Sequence, residues 1–215
     1  MLKIDKYDLI IESCVETLEE AIRASQHGAS QLEICSHLDV DGLTPDTSLL
    51  RDILKAVEIP CKVMIRLRSG DFYYTREEMK TMMDSIAQIK TYPIAGIVFG
   101  ANTKDTKGQI ILDLSAIRQV CEASYPLPVT IHKAIDLCSN ISDEVIDLKD
   151  ISNVGFVLSS GGEISAHLGA DMLINMQQKA GNHIQIIAAG KILPENISSL
   201  VHKTRLRYFH GRNII

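Results

Sequence analysis

The sequence of 215 residues lacks the features that mark membrane-spanning, secreted and nucleic-acid-binding proteins. No apolar run reaches the roughly 18 residues that a membrane span requires. The N-terminal segment has no long apolar core followed by small residues, so we expect no secretory signal. The net charge of −5 disfavours the basic surface that nucleic acids and anionic membranes require. We therefore expect a cytoplasmic protein that has neither nucleic acid nor membrane as its partner.

Cysteine is scarce and shows no paired spacing. The chain has five cysteines and no C-x-x-C pair. An odd number without such pairs fits a reducing cytoplasm better than a disulfide framework. The length suits one domain with a substantial core, and we expect residues 1–215 to form that domain.

A repeating alternation of short strands and helices organises the chain. The strands are predicted at residues 9–15, 31–36, 59–68, 94–100, 127–134, 154–159, 185–189 and 205–209. Alternation of this kind implies parallel pairing through right-handed crossovers, in a closed barrel or an open doubly wound sheet. Eight repeats and the absence of G-x-G-x-x-G after the first strand favour an α/β (β/α)₈ TIM barrel.

The end of the chain sets this predicted barrel apart. Only residues 211–215 follow the eighth predicted strand, so the barrel is expected to be slightly truncated at its last helix. The missing helix would expose an apolar flank that a partner subunit could cover.

Local signals predict where several helices begin and end. Thr75 with Glu78 forms a capping-box pattern, and Asp113 is expected to open another helix. Gly28 is a plausible stop after the first helix. Pro194 is predicted in the first turn of a helix over residues 193–203.

Two arginines end the third predicted strand. Alternation along a strand predicts that Met64, Arg66 and Arg68 point the same way. Two neighbouring guanidiniums are costly to bury unless an anion lies between them. Asp71 is one candidate for that anion, in a purely structural pair, and a carboxylate or phosphate of a ligand is the other.

Polar side chains collect at the carboxyl ends of the predicted strands, where barrels of this class have their working sites. The candidates for substrate binding are Glu12, Arg66, Arg68, Asp71, Lys133, Ser160, Lys191 and His210. Glycine turns after the sixth and seventh strands could offer backbone N–H groups to a phosphate. A strand carboxylate such as Glu12 could equally serve only to balance an arginine.

Two neighbouring strands carry the same E-x-C pattern, Glu12 with Cys14 and Glu33 with Cys35. The matching patterns predict that both thiols lie at the same barrel level, where the two sulfurs could converge on a soft metal ion such as Cu(I). Adjacent carboxylates disfavour the thiolates that Cu(I) needs. A buried cysteine is also commonly a small hydrophobic residue.

Three residues are candidates for moving protons: Glu33, His132 and Asp136. His132 could instead be a metal ligand, or a structural histidine bonded to Asp136 or Glu33.

At these residues the chain resembles the CutC family. The resemblance rests on E-S-C-V-E-T-L-E-E-A, Q-L-E-I-C-S, M-I-R-L-R-S-G-D-F-Y-Y and P-V-T-I-H-K-A-I-D, within residues 9–211. It implies a cytoplasmic (β/α)₈ barrel, a homodimer, and a Cu(I) site at Cys14 and Cys35. The family usually has arginine at the position of Lys133. Lysine lacks the planar bidentate group of arginine, so a different ligand specificity is expected here.

Three hypotheses follow from the residues and the resemblance. The first is a copper homeostasis protein that binds Cu(I) through Cys14 and Cys35. The second is a barrel enzyme that acts on a small anionic metabolite, phosphorylated or carboxylated, which Arg66, Arg68 and Lys191 orient. The third is a dimeric barrel that only binds a ligand.

Overall fold

Eight parallel strands close into a barrel in the computed structural model, which describes residues 2–4 and 7–215 and side chains from residue 8 onward. The barrel strands are β2 (Tyr7–Val15), β3 (Gln31–Ile34), β4 (Cys61–Met64), β5 (Gly96–Phe99), β8 (Val129–Ile131), β9 (Val154–Ser159), β10 (Gln185–Ala189) and β11 (Tyr208–Gly211). Each pairs in parallel with its neighbours, and β11 returns to β2 to close the ring. The predicted fold is confirmed.

Within the described residues, three short strands lie outside the ring. Strand β1 (Leu2–Ile4) pairs antiparallel with β2, while β6 (Asn102–Lys104) and β7 (Ile110–Leu112) form a separate hairpin.

Seven α-helices surround the barrel in the described residues: α1 (Leu18–Gln26), α2 (Thr47–Ala56), α3 (Arg76–Ile89), α4 (Leu114–Ser124), α5 (Ile141–Leu148), α6 (Ala170–Ala180) and α7 (Ile197–Thr204). Short 3₁₀ turns stand at Leu38–Val40 and Lys133–Leu137. The apolar faces of the seven α-helices pack on the outside of the sheet and form the main core with it. None of these helices is long and apolar enough to cross a membrane.

The helix signals are largely confirmed. Thr75 and Glu78 form a complete capping box, and Asp113 accepts a hydrogen bond from the Ala116 N–H. Gly28 has a φ of +104° just after α1, as a stop residue requires. The prediction for Pro194 is wrong, because α7 begins at Ile197 and the proline lies in the turn before it.

Two strand predictions are wrong in ways that matter for the site. Strand β4 ends at Met64, so Arg66 and Arg68 stand in the loop that follows it. Strand β11 begins only at Tyr208 and carries His210 within it, instead of just beyond its end. The alternation of side-chain faces along β4 therefore ends before Arg68. Along β11 it includes His210.

The loop after β9 is held by a close approach of two glycines. A Cβ on Gly169 would lie 1.9 Å from the carbonyl oxygen of Ser160, and one on Gly161 would lie 2.4 Å from that of Gly169. Gly161 also has a φ of +72°, which favours glycine. This packing fixes Ser160 at the mouth of the barrel.

We predict that Gly169→Ala lowers the free energy of unfolding by the upper part of the range of about 1–3 kcal/mol that overpacking costs. The reason is that its Cβ meets backbone and not a side chain that can rotate away. Urea unfolding measures the change. Gly155→Ala is the control, because its nearest neighbour would be the Pro128 Cβ at 3.5 Å; an equal loss in both variants would contradict the prediction.

Candidate functional site

A chain of buried charges fills one side of the barrel interior. Glu12 on β2 accepts from the Gln31 amide at 2.6 Å and from the His210 Nδ1 at 2.9 Å. The Lys62 ammonium lies 2.9 Å from the Glu12 carboxylate, without the alignment of a hydrogen bond, and 4.1 Å from the centre of the Phe156 ring. Strands β2, β3, β4 and β11 supply Glu12 and its three polar partners, so the network joins four neighbouring strands.

The partners of Glu12 decide its charge. Burial alone would raise the pKa of Glu12, but Lys62 and His210 outweigh burial and lower the pKa to about 2. Burial would likewise lower the pKa of His210, but Cys14, Glu33 and the hydrogen bond with Glu12 raise it well above its ordinary value. At neutral pH the interior therefore holds an ionised Glu12 between two cations.

Glu33 lies beside this chain and is less well paired. Burial raises the pKa of Glu33, and the charge of Glu12 adds to this effect while His210 opposes it. Its Oε1 accepts the Cys35 thiol at 3.4 Å, whereas its Oε2 has no hydrogen-bond partner among the described residues.

The two E-x-C patterns are not in register, so the prediction that they lie level is wrong by two residues. Strand β2 pairs Cys14 with Glu33 and Glu12 with Gln31. Cys35 thus lies two residues further along β3, roughly 6.6 Å at about 3.3 Å per residue. Burial, and then the charges of Glu33 and Cys14, raise the pKa of the Cys35 thiol well above its ordinary value.

The two predicted arginines diverge, and the prediction that they share a face is wrong. Arg66 is 3% exposed and donates to the carbonyls of Val40, Gly42 and Gly70. Arg68 points outward, where it pairs with Asp71 at 2.9 Å and Glu78 at 2.5 Å. The structural alternative for Asp71 is therefore the one observed.

His132 follows β8 and is held in one orientation. Its Nδ1 lies 3.1 Å from the Ala134 N–H, which donates to it, and its ring packs against Phe72 with centroids 4.7 Å apart. Burial and the positive charge of Arg66 lower the pKa of His132 to about 3. The imidazole is therefore neutral at pH 7. It bonds neither Asp136 nor Glu33 among the described residues, so the predicted alternative of a structural histidine bonded to one of them is wrong.

Asp136 holds the loop after β9. Its carboxylate accepts from the hydroxyl of Ser159, from the backbone N–H and hydroxyl of Ser160 at 2.9 Å each, and from the Gly162 N–H at 3.1 Å. The Lys133 ammonium lies 4.0 Å away. The glycine turn therefore gives N–H groups to a carboxylate of the protein.

A cavity of about 600 Å³ opens at the carboxyl ends of the strands. It brings together eight of the predicted site residues: Cys14, Glu33, Arg66, His132, Lys133, Asp136, Ser160 and His210. The other five predicted residues, Glu12, Cys35, Arg68, Asp71 and Lys191, do not line it.

Sequence reasoning missed several groups at this site. Lys62 faces the interior, where its ammonium lies beside Glu12, and it stands in register with Glu33 on β3. Lys62 stands two residues before Met64, and this spacing predicts that the two side chains share a face. A single lysine in an otherwise apolar strand gave no reason to place its charge in the interior. Phe72 and Arg212 also line the cavity, and no spacing in the sequence pointed to them.

Glu12, Glu33 and His210 form a cluster with metal-ligand geometry, since one ligand atom of each lies within 4.8 Å of the others. Their electrostatics are unfavourable for a cation, because Lys62 and the His210 imidazolium already balance the Glu12 charge. The donors are also mostly carboxylate oxygens, which suit hard cations better than Cu(I). The cluster fits a proton-holding network better than a metal centre.

The low pKa of His132 predicts a pH dependence of stability. An unfolded histidine takes up a proton below pH 6.5, whereas the folded one does so only near pH 3. The contribution of His132 to the free energy of unfolding is therefore fully present above pH 6.5. It falls by about 1.4 kcal/mol per pH unit as the pH drops toward 3.

We expect His132→Asn to have a shallower loss of stability than the wild type over this window. The Asn Oδ1 takes the place of Nδ1 toward the Ala134 N–H, and no proton is bound. Urea unfolding between pH 3 and pH 6.5 measures the free energy of unfolding of both proteins. The opposite contribution of His210 is present in both, so it cancels when the two are subtracted. Parallel curves for the two proteins would refute the prediction.

Comparison with known proteins agrees with this architecture. The model of the CutC family matches residues 9–215. A family protein CutC of Pasteurella multocida is 37% identical over 93% of this chain and 80% of its own length. A human copper homeostasis protein cutC homolog is 34% identical over 94% of this chain and 72% of its own.

Solved structures show the same fold. CutC from Streptococcus agalactiae superposes with a TM-score of 0.87 at 25% identity, over 96% of this chain and all of that one. The YdjI aldolase from Escherichia coli, at 11% identity and a TM-score of 0.60 over 96% of this chain and 76% of its own, shares the fold alone. The match of the family model over nearly the whole length, together with these relatives, means that the chain belongs to the CutC family.

Proposed function

We propose that the barrel mouth is the active site of an enzyme that acts on a small anionic metabolite, carboxylated or phosphorylated. The observation that carries this proposal is the buried guanidinium of Arg66, which is 3% exposed and pairs with no carboxylate among the described residues. It borders a cavity of about 600 Å³, whose other basic residues, Lys133, His210 and Arg212, are accompanied by the acidic residues Glu33, Asp41, Asp136 and Glu163. A pocket of this size and polarity suits a small ligand whose charge is negative.

Among the three predicted proton-transfer groups, the geometry favours Glu33. Asp136 has its carboxylate occupied by Ser159, Ser160 and Gly162. His132 is too weak a base, with its pKa near 3. Glu33 borders the cavity and keeps one carboxylate oxygen free of partners in the described part of the chain. We therefore assign Glu33 the proton transfer in this proposal.

The anion-binding proposal predicts that Lys133→Met weakens the binding of inorganic phosphate and oxalate about three- to tenfold. The effect is moderate because the Lys133 side chain is 47% exposed. Isothermal titration gives the affinities. Lys191→Met is the matched control, since Lys191 is exposed and does not border the cavity. Equal affinities in the wild type and both variants would remove Lys133 from the site.

A second candidate is a role in copper homeostasis with Cu(I) bound at Cys14 and Cys35. The observations that favour it are the names of the human, Caenorhabditis elegans and mouse relatives and the position of Cys14 at the cavity. Cys35 is buried and its thiol donates to Glu33. Binding would therefore have to displace a firmly held proton.

The copper proposal predicts stoichiometric Cu(I) binding by the reduced protein that Cys14→Ser with Cys35→Ser abolishes. The reason is that Cu(I) in a two-coordinate site depends on both soft sulfur ligands. Titration against a competing Cu(I) chelator measures it, with Cys61→Ser as a control for a buried thiol away from the mouth. Binding that the double variant retains would leave the two cysteines as core residues.

We also propose that the protein is cytoplasmic, a homodimer, and one domain over residues 1–215. All five cysteines are free, which agrees with a reducing compartment. The dimer rests on the family resemblance.

A further inference from the structure

The innermost wall of the cavity holds buried donors that have no partner. The Nε of Arg66 and the Nε2 of His132 make no hydrogen bond within the described residues, and both residues border the cavity. The exposed fractions of these two side chains are 3% and 5%. Buried polar groups without partners are rare and costly, so a group absent from the protein itself is expected to satisfy them.

The hydrogen bond at Nδ1 defines what His132 can do. Because Nδ1 accepts from the Ala134 N–H, the ring proton of the neutral imidazole lies on Nε2. The free Nε2 is therefore a donor, and the ring cannot turn easily. A Cβ at Gly100 would lie 2.6 Å from Nδ1, so the backbone at Gly100 and the Phe72 ring enclose the imidazole on two sides.

Arg66 is also fixed in place. Its Nη1 donates to the carbonyls of Val40 and Gly42 and its Nη2 to that of Gly70, whereas its Nε has no hydrogen-bond partner among the described residues. The guanidinium carbon lies 4.9 Å from the centre of the Phe72 ring, the same ring that contacts His132. Both donors thus flank Phe72, and both residues border the cavity.

We propose that His132 Nε2–H and Arg66 Nε–H together bind the oxyanion group of the ligand, a carboxylate or a phosphate, and that His132 acts as a neutral hydrogen-bond donor. The inference rests on the proposed anion-binding function and adds the inner subsite and the orientation of the ligand. The oxyanion lies deepest, against His132 and Arg66, and the rest of the ligand extends toward Lys133 at the rim. An acceptor-only oxygen fits, because the free nitrogens of Arg66 and His132 are both donors.

Two substitutions of His132 test the roles of its two ring nitrogens separately. Asn keeps an acceptor for the Ala134 N–H but has no donor at the Nε2 position. Gln places an amide N–H near Nε2 but loses that acceptor. We expect His132→Asn to weaken oxalate or phosphate binding by about tenfold or more, as the loss of a hydrogen bond to a charged group does. His132→Gln should retain most of the affinity.

The second readout is the Nε2 resonance of His132 in histidine-labelled protein, assigned by its loss in the Asn variant. Oxalate and inorganic phosphate are titrated separately, and the one that shifts the resonance identifies the oxyanion class. Wild-type binding that His132→Asn preserves, or that leaves the resonance unmoved, would overturn this subsite alone. Failure of both probes to bind the wild type would overturn the proposed function together with it.

Discussion

The site depends on a charged interior, which a barrel core of ordinary apolar residues would not need. Ionised Glu12 is buried beyond the reach of water, a position that costs several kcal/mol unless partners replace the solvent. Lys62, Gln31 and His210 are those partners, and each comes from a strand next to β2 or one strand away. Removing Lys62 or His210 would leave Glu12 with one cation in place of two, and removing Gln31 would cost it a hydrogen bond. The position of His210 at the mouth follows from this arrangement.

The same charge chain shapes the chemistry available at the mouth. Because Lys62 and His210 already neutralise Glu12, a further cation gains little there, while Glu33 keeps a proton more firmly than an exposed carboxyl would. The hydrogen bond that the Cys35 thiol donates opposes this effect, because it favours the ionised form of Glu33. Proton transfer by Glu33 and Cu(I) binding at Cys35 are therefore coupled, since the two groups are hydrogen-bonded and burial favours the protonated form of each.

How far the sequence predicts this structure depends on the distance over which each signal acts. Capping at Thr75 and Asp113 and the strands over 154–159 and 185–189 follow from short-range patterns, and they are confirmed. The direction of Arg68 could not be predicted, because β4 ends at Met64 and the turn beyond it breaks the alternation. The level of Cys14 against Cys35 depends on how the strands are staggered when the barrel closes, and a repeated E-x-C pattern carries no information about that stagger.

The mouth has two chemically different halves. One half contains the sulfur and carboxyl groups of Cys14 and Glu33, on β2 and β3, whereas the other contains the fixed donors of His132 and Arg66 around Phe72. A soft cation would gain nothing from the second half, because free N–H donors repel it. An oxyanion satisfies those donors and also gains from the nearby cations. Since buried donors without partners are costly to maintain, this second half is the stronger argument that the mouth is shaped around an anion.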